Sequence, residues 1–277
     1  MQQRSGSTIK GVVTVSLMVL NVIAWCLALF TVAIVKFLVP VPAVRRWLSR
    51  AMTALAEGWI GTNNAIFRAT GVLALEPRGL ERLSTREWYL VVSNHRSWVD
   101  ILVLQAVFNR RIPFLKFFLK RQLIWVPFLG LAWWALDFPF MRRYTSAHLA
   151  SHPEDRGKDL AVTRRACEKF RLIPTSVMNF VEGTRFTPAK QAALKSSYRN
   201  LLPPRAGGVS FVLSAMGGML HTMLDVTIAY TSGTPTFWDL CCGRVGTVRV
   251  DVRHRRIEDW LAAGIGLVLV LIRSRRA

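Results

Sequence analysis

The feature that most constrains this chain is an uncharged, apolar stretch near its N-terminus, residues 11–35. As an α-helix this stretch would be about 38 Å long, which is enough to cross a hydrocarbon layer about 30 Å thick. It is too long for the apolar part of a signal peptide, and no small-residue cleavage site is evident. We therefore predict a retained membrane helix, with a re-entrant or single-leaflet hairpin as the alternative.

The charges that flank this stretch bear on its orientation. Four basic residues follow it within residues 36–50, and two precede it within residues 1–10. Because Lys and Arg are enriched on the cytoplasmic side of membrane helices, we predict that the chain beyond the helix is cytoplasmic, although the two preceding charges weaken the asymmetry.

A second helix is predicted after the break at residues 40–42, which read Pro-Val-Pro. It covers residues 43–70 and mixes tryptophans and aliphatic residues with polar ones. Two interpretations stay open: it lies on the membrane surface against the first helix, or it packs on the core as a soluble amphipathic helix. Residues 1–70 are thus predicted to form a membrane-associated helix pair.

Composition limits the partners of the chain. Its 277 residues are 52% hydrophobic and carry a formal net charge of +21. A chain that is both basic and apolar favours anionic membrane lipid as a partner. Nucleic acid is not predicted, since the sequence holds no zinc finger, helix-turn-helix or RNP-like pattern. The four cysteines have neither zinc-ligand spacing nor a disulfide framework, which fits a reducing compartment.

From residue 71 onward, strand-like runs alternate with helical stretches, which predicts an α/β domain over residues 71–256. The remaining residues, 257–277, form a short apolar and basic segment of undefined role. Strands are predicted at residues 72–76, 88–93, 113–118, 137–142, 175–181, 223–230 and 245–252. Helices are predicted at residues 98–109, 119–135, 157–171 and 206–218.

A histidine and an aspartate five residues apart are the first chemical feature. An apolar strand-like run ends in Ser93-Asn94-His95, and a helical pattern begins near Asp100. On one continuous helix the two side chains would point apart, so they meet only if the chain bends between them. Ser93 or Ser97 is a candidate helix cap at such a bend. A carboxylate holds an imidazole in one tautomer, as a general base requires. Alternatively, His95 is a loop residue and Asp100 an ordinary first-turn acid.

Three further blocks have chemical content. Residues 140–143 end in two arginines that can hold a phosphate through charge-assisted hydrogen bonds, or are simply solvated. Residues 180–185 deliver an acid, a glycine, a hydroxyl and an arginine after an apolar strand, which suits a phosphate or polyol, or else a simple turn. Residues 202–208 are rich in Pro and Gly and either shape a pocket wall or form a plain loop.

Taken in this order, the four blocks resemble those of the glycerolipid acyltransferase family. Residues 94–100 look like its NHxxxxD block, 140–143 like its second block, 180–185 like its FPEGTR block, and Pro204 falls where the fourth block places a proline. The third block has Val181 instead of the usual proline and continues with Phe186-Thr187. It thereby resembles the bacterial branch of 1-acylglycerol-3-phosphate and other lysophospholipid acyltransferases that reads xEGTRFT.

The resemblance implies a mixed central sheet flanked by helices and an enzyme of the bacterial inner membrane. It implies acyl transfer from acyl-CoA or acyl-carrier protein to the sn-2 hydroxyl of lysophosphatidic acid, giving phosphatidic acid. Another lysophospholipid, of the lysocardiolipin, lysophosphatidylglycerol or lysophosphatidylinositol type, is the alternative acceptor. Neither a metal nor a cofactor is implied, because the thioester is already activated. The apolar segment 119–135 would line an acyl-chain tunnel, dip into the bilayer or form a core helix.

The resemblance also assigns roles to residues. His95 is implied as the general base and Asp100 as the carboxylate that orients it. The implied substrate-binding residues are Asn94, Arg143, Glu182, Gly183, Thr184, Arg185 and Pro204. Arg143, which follows Met141-Arg142, and Arg185 are the residues expected on the acceptor phosphate.

Two other function classes fit the sequence less well. A serine hydrolase predicts a GxSxG elbow, but residues 208–211 lack the closing glycine. The hypothesis of a non-catalytic basic protein of the membrane surface explains the charge and the apolar N-terminus. It does not explain why the four blocks occur in this order.

Overall fold

The computed structural model describes residues 2–141, 173–205 and 207–257, together with Ser151, Glu168 and Phe170. Arg143, nearly all of the predicted helix at 157–171 and the C-terminal segment beyond Ile257 therefore lie outside the described residues.

Two long helices begin the chain. Helix α1 spans Gln2–Leu38 and α2 spans Pro42–Thr70, with Pro42 at the start of α2, where its missing N–H is not needed. In the part of the chain that the structure describes, the run Ser7–Leu38 is the one helix long and apolar enough to cross a membrane, and 22% of its most apolar window is buried. The predicted helix pair is thus present, and most of the apolar surface of α1 stays open.

The two helices form an antiparallel hairpin held by polar side chains. Asn21 Nδ2 donates to Asn63 Oδ1 at 2.9 Å and to the Trp59 carbonyl at 3.1 Å. Trp25 Nε1 donates to Thr62 Oγ1 at 3.2 Å. These bonds, between buried and half-buried groups, fix the register of one helix against the other. Buried apolar residues of both helices join the core of the α/β domain.

A six-stranded mixed sheet forms the centre of the α/β domain. Its strands, in the order β1-β8-β7-β2-β6-β3, are Ala74–Arg78, Thr247–Arg256, Thr222–Tyr230, Tyr89–Ser93, Ser176–Phe180 and Leu115–Phe117. Strands β2, β3, β6 and β7 run parallel, and β7 pairs with β8 antiparallel. A separate pair joins β4 at Leu119–Lys120 to β5 at Phe140–Met141. This arrangement confirms the predicted mixed α/β fold.

Helices cover both faces of the sheet. They are α3 Val99–Phe108, α4 Leu129–Ala135, α5 Pro188–Ala193, α6 Gly207–Met216 and α7 Phe237–Cys241, with 3-10 turns at Arg121–Trp125 and Gly217–Met219. Strand β2 is buried along its whole length. Val91 packs in the cluster shared with α1, α2 and α3, whereas Leu90 and Val92 pack in the cluster shared with α6. Alternate side chains of β2 therefore pack into two different hydrophobic clusters.

The prediction of one continuous helix at 119–135 is wrong. The segment begins as β4, continues as a 3-10 turn and becomes α4 only at Leu129. Pro127 cannot continue a helix, and Phe128 adopts a positive φ of 60° that redirects the chain. The segment is also partly exposed, with Trp125 85% and Trp134 60% accessible, so it is not a buried core helix.

The corner after β1 generates a stability prediction. Gly79 has φ of +74°, and a Cβ there would lie 1.9 Å from the carbonyl oxygen of Val252 on β8. Gly79→Ala should therefore lower the free energy of unfolding by about 2–4 kcal/mol, measured by denaturant titration. Gly71→Ala is the matched control, since Gly71 has φ of +62° with open space around it and should cost about 1 kcal/mol. Equal losses in the two variants would contradict the packing argument.

Candidate active site

The turn that follows β2 is tied to the neighbouring strand by Asn94. Its Oδ1 accepts from the Ile228 N–H at 2.8 Å, and its Nδ2 donates to the Ile228 carbonyl at 2.9 Å. Asn94 is buried, and both ends of its amide are engaged with the backbone of β7. The side chain thus fixes where the turn leaves the sheet.

The predicted bend brings His95 and Asp100 together. His95 Nδ1 lies 2.9 Å from Asp100 Oδ2, which also accepts from the Arg96 N–H at 2.6 Å and the Ser97 N–H at 2.9 Å. Asp100 is 1% exposed, in the first turn of α3. Ser97 Oγ accepts from the Val99 N–H at 3.1 Å, whereas the N-cap residue of α3 is Trp98, which makes no side-chain cap hydrogen bond.

The surroundings of the imidazole determine its tautomer. An ionised carboxylate can only accept, so Nδ1 carries the proton and Nε2 is the basic nitrogen. One ring face stacks on Phe180, with centroids 3.8 Å apart and planes 12° apart. The side chain of His95 is 14% exposed, so the ring can meet a substrate from one side.

Sequence reasoning missed Tyr230, the last residue of β7. Its hydroxyl donates to Asp100 Oδ1 at 2.5 Å, so both oxygens of this carboxylate are bonded. Burial, followed by the charge of Asp100, raises the pKa of Tyr230, which keeps the phenol protonated and donating. A single tyrosine at a strand end carries no local signal, and only the pairing of β7 with β2 brings it here.

Glu182 supports the histidine from the next strand. Its Oε1 accepts from the His95 N–H at 2.9 Å, and its Oε2 accepts from the Leu202 N–H at 2.8 Å. The residue is 1% exposed. Gly183 follows with φ of +68°, in a tight turn against the side chain of Arg205. The carboxylate therefore joins the backbones of three segments at the site.

Thr184 and Arg185 lie on the open side of the same turn. Lys190 Nζ donates to Thr184 Oγ1 at 2.8 Å and to the Arg185 carbonyl at 3.0 Å. The exposed Arg185 guanidinium lies over the Trp98 ring, 4.8 Å from its centroid. Arg96 lies similarly over Phe186, at 5.1 Å, so basic side chains border the histidine.

The remaining predicted site residues lie farther out or cannot be described. Pro204 is half-buried in the loop before α6. Arg143 falls outside the described residues, although β5, which precedes it, is in place. Within the described part of the chain, no group of three or more His, Cys, Asp or Glu side chains could hold a metal ion.

A partly exposed histidine thus contacts a buried carboxylate at the end of a parallel strand in a mixed α/β fold. The chain belongs to the acyltransferase family, whose family model matches residues 74–231. This confirms the family resemblance, while the bacterial branch stays a prediction.

Similar proteins fit this assignment. The chain is 28% identical over 188 residues to 1-acyl-sn-glycerol-3-phosphate acyltransferase 2 of Arabidopsis thaliana, covering 63% of this chain and 46% of that protein. It is 24% identical over 185 residues to 1-acyl-sn-glycerol-3-phosphate acyltransferase gamma of Mus musculus, covering 63% and 47%. The chain thus spans about half the length of these curated relatives.

A solved structure shares the fold. The crystal structure of the 1-acyl-sn-glycerophosphate (LPA) acyltransferase PlsC from Thermotoga maritima superposes with a TM-score of 0.55 at 15% identity, covering 98% of both chains.

Glu182 provides a test of how the site is supported. In Glu182→Gln, the amide oxygen can accept one of the two backbone N–H groups, while the amide NH2 faces the other. We expect a loss of about 1–3 kcal/mol in the free energy of unfolding. Glu76→Gln is the matched control, because Glu76 is 54% exposed in its pair with Arg249 and should change stability little. Thermal denaturation in detergent compares them, and equal melting temperatures would contradict the supporting role.

Proposed function

We propose that the protein is a 1-acyl-sn-glycerol-3-phosphate O-acyltransferase. It moves an acyl chain from a thioester to the sn-2 hydroxyl of lysophosphatidic acid and produces phosphatidic acid. The observation that carries the proposal is the 2.9 Å contact of His95 Nδ1 with the buried Asp100 carboxylate. The names of the curated relatives support the choice of acceptor.

In the proposed mechanism, His95 is the general base. With its proton on Nδ1, Nε2 takes the proton of the acceptor hydroxyl while that oxygen attacks the thioester carbonyl. Asp100 stabilises the imidazolium that forms and keeps the ring in place. When the tetrahedral intermediate collapses, the C–S bond breaks and the imidazolium returns its proton to the leaving thiolate. The donor is acyl-CoA or acyl-carrier protein, and its activated thioester makes a metal or cofactor unnecessary.

The acceptor phosphate is proposed to bind Arg185, together with Arg143. The exposed guanidinium of Arg185 belongs to the turn beside His95, and arginine binds phosphate through paired hydrogen bonds. Lys190 already holds the Thr184 hydroxyl and so steadies this turn. Placing the phosphate there would bring the acceptor hydroxyl to the imidazole and reduce the entropic cost of reaction.

Two residues expected on the substrate have contacts that favour a supporting role. Asn94 bonds to the backbone of β7, and Glu182 bonds to backbone N–H groups on two sides. Gly183 and Pro204 shape the loops next to the proposed phosphate site. Direct contact with the acceptor is therefore proposed for the arginines and Thr184.

The enzyme is proposed to act at a membrane, on the cytoplasmic face of a bacterial inner membrane. The apolar run of α1 supports this, as does a neighbouring patch formed by Trp125, Phe128, Leu131 and Trp134, all of them exposed. Helix α4 packs against α1, and Lys36 lies 3.6 Å from Asp137 at the end of this segment. Exposed tryptophans suit the interface between lipid and water. An acceptor lipid would then reach the site without leaving the membrane.

An acyl-transfer assay tests the proposal. Detergent-solubilised protein is given oleoyl-CoA or oleoyl-acyl-carrier protein with lysophosphatidate, lysophosphatidylglycerol or lysophosphatidylinositol in parallel. We expect turnover on lysophosphatidate, and a loss of about 100- to 10,000-fold in kcat for His95→Ala. The exposed His221 supplies the control variant His221→Ala, which should retain wild-type activity.

The other outcomes are also informative. A preference for another lysophospholipid would retain acyl transfer and replace the acceptor. A folded His95→Ala protein with wild-type turnover would refute the mechanism, and absence of turnover with every acceptor and both donors would refute the proposed activity.

A further inference from the structure

We propose that Tyr230 is a positioning residue that fixes how the Asp100 carboxylate is turned toward the histidine. The catalytic consequence rests on the proposed function, whereas the positioning itself is a property of the folded protein. The site motifs do not include this tyrosine, which lies 130 residues from Asp100 along the chain.

The two oxygens of Asp100 have different partners. Oδ2 receives His95 Nδ1 and two backbone N–H groups, whereas Oδ1 receives the hydroxyl of Tyr230. A carboxylate can turn about its Cβ–Cγ bond, and backbone N–H groups can donate to either of its equivalent oxygens. The tyrosine restricts this rotation, because a buried oxygen without a donor is costly and turning the carboxylate plane away from the phenol would break the bond between Oδ1 and the Tyr230 hydroxyl.

Strand β7 holds both ends of the histidine turn. Ile228 bonds through its backbone to Asn94, just before His95. Tyr230, two residues further along the same strand, bonds to Asp100 just after the turn. Residues at i and i+2 lie on the same face of a strand. Strand β7 thus holds the turn at two points, and the second of these is the hydrogen bond from Tyr230 to the catalytic carboxylate of Asp100.

The charges around Tyr230 favour this role. Burial and the adjacent Asp100 carboxylate raise the pKa of the phenol, and the nearby Arg96 opposes this shift only in part. Glu182, the other buried acid at the site, is bonded to backbone N–H groups. Tyr230 therefore stays protonated over the pH range of an assay and acts as a permanent donor.

Tyr230→Phe removes one oxygen and keeps the ring. We expect kcat to fall about 10- to 100-fold, since the imidazole is less well oriented. KM for donor and acceptor should stay within about twofold of wild type, because Tyr230 is not expected to touch either substrate.

Tyr89→Phe is the matched control. Tyr89 is also buried, and its hydroxyl also donates to a carboxylate, Glu87 Oε2 at 3.1 Å, away from His95. It should leave kcat unchanged. Equal effects of the two substitutions on kcat would overturn the proposal.

A spectroscopic measurement separates this inference from the proposed activity. In protein with 15N-labelled histidine rings, the Nδ1–H resonance of His95 is assigned by its absence in His95→Ala. We expect Tyr230→Phe to shift or broaden this resonance and Tyr89→Phe to leave it in place. The experiment needs no substrate, so a shift in a protein without acyl transfer would retain the positioning role and reject the activity. An unchanged resonance would overturn the positioning role.

A second substitution covers the case in which Tyr230→Phe does not fold. Introducing 3-fluorotyrosine at position 230 retains the hydroxyl and makes it a stronger donor to Asp100 Oδ1. The charge left on Oδ2 falls, so the Nδ1–H resonance of His95 should move. A resonance at its wild-type position would reject the proposal.

Discussion

The site depends on one carboxylate that the fold keeps out of water. Burying a charge is costly unless donors surround it, and Asp100 has four: two backbone N–H groups, His95 and Tyr230. The backbone donors come from the turn itself, so they converge only when α3 begins directly after that turn. The bend of the chain, the burial of the acid and the tautomer of the imidazole are therefore parts of one arrangement.

The sheet brings distant parts of the sequence to this carboxylate. Strands β2, β6 and β7 are parallel, so their carboxyl ends lie at the same edge. His95 follows β2, Glu182 follows β6, and Tyr230 ends β7. Side chains at strand ends form the functional sites of many α/β proteins for this reason. Here Glu182 accepts a hydrogen bond from the backbone N–H of His95, and Tyr230 donates one to the Asp100 carboxylate that contacts the histidine.

Local signals were enough to predict the centre of the site. The strand before His95, the bend before Asp100 and the turn at Glu182 all follow from short apolar runs and the residues that end them. Tyr230 could not be found in this way, because its partner is 130 residues away and only strand order joins them. The partners of Glu182 are backbone N–H groups, and the pattern of side chains in a sequence does not show where such groups lie. At residues 119–135 the apolar sequence favoured one continuous helix. Pro127 and the positive φ of Phe128 interrupt the segment, so α4 begins only at Leu129.

The most direct test of the central claim is the kcat of Asp100→Asn. The amide keeps the size of the side chain but removes the charge that holds the imidazole, so kcat should fall about 1,000- to 10,000-fold with KM little changed. Asp251→Asn is the control, since Asp251 is 46% exposed beside Arg253 and should retain activity. A folded Asp100→Asn protein with kcat within about tenfold of wild type would show that the buried carboxylate does not direct the histidine.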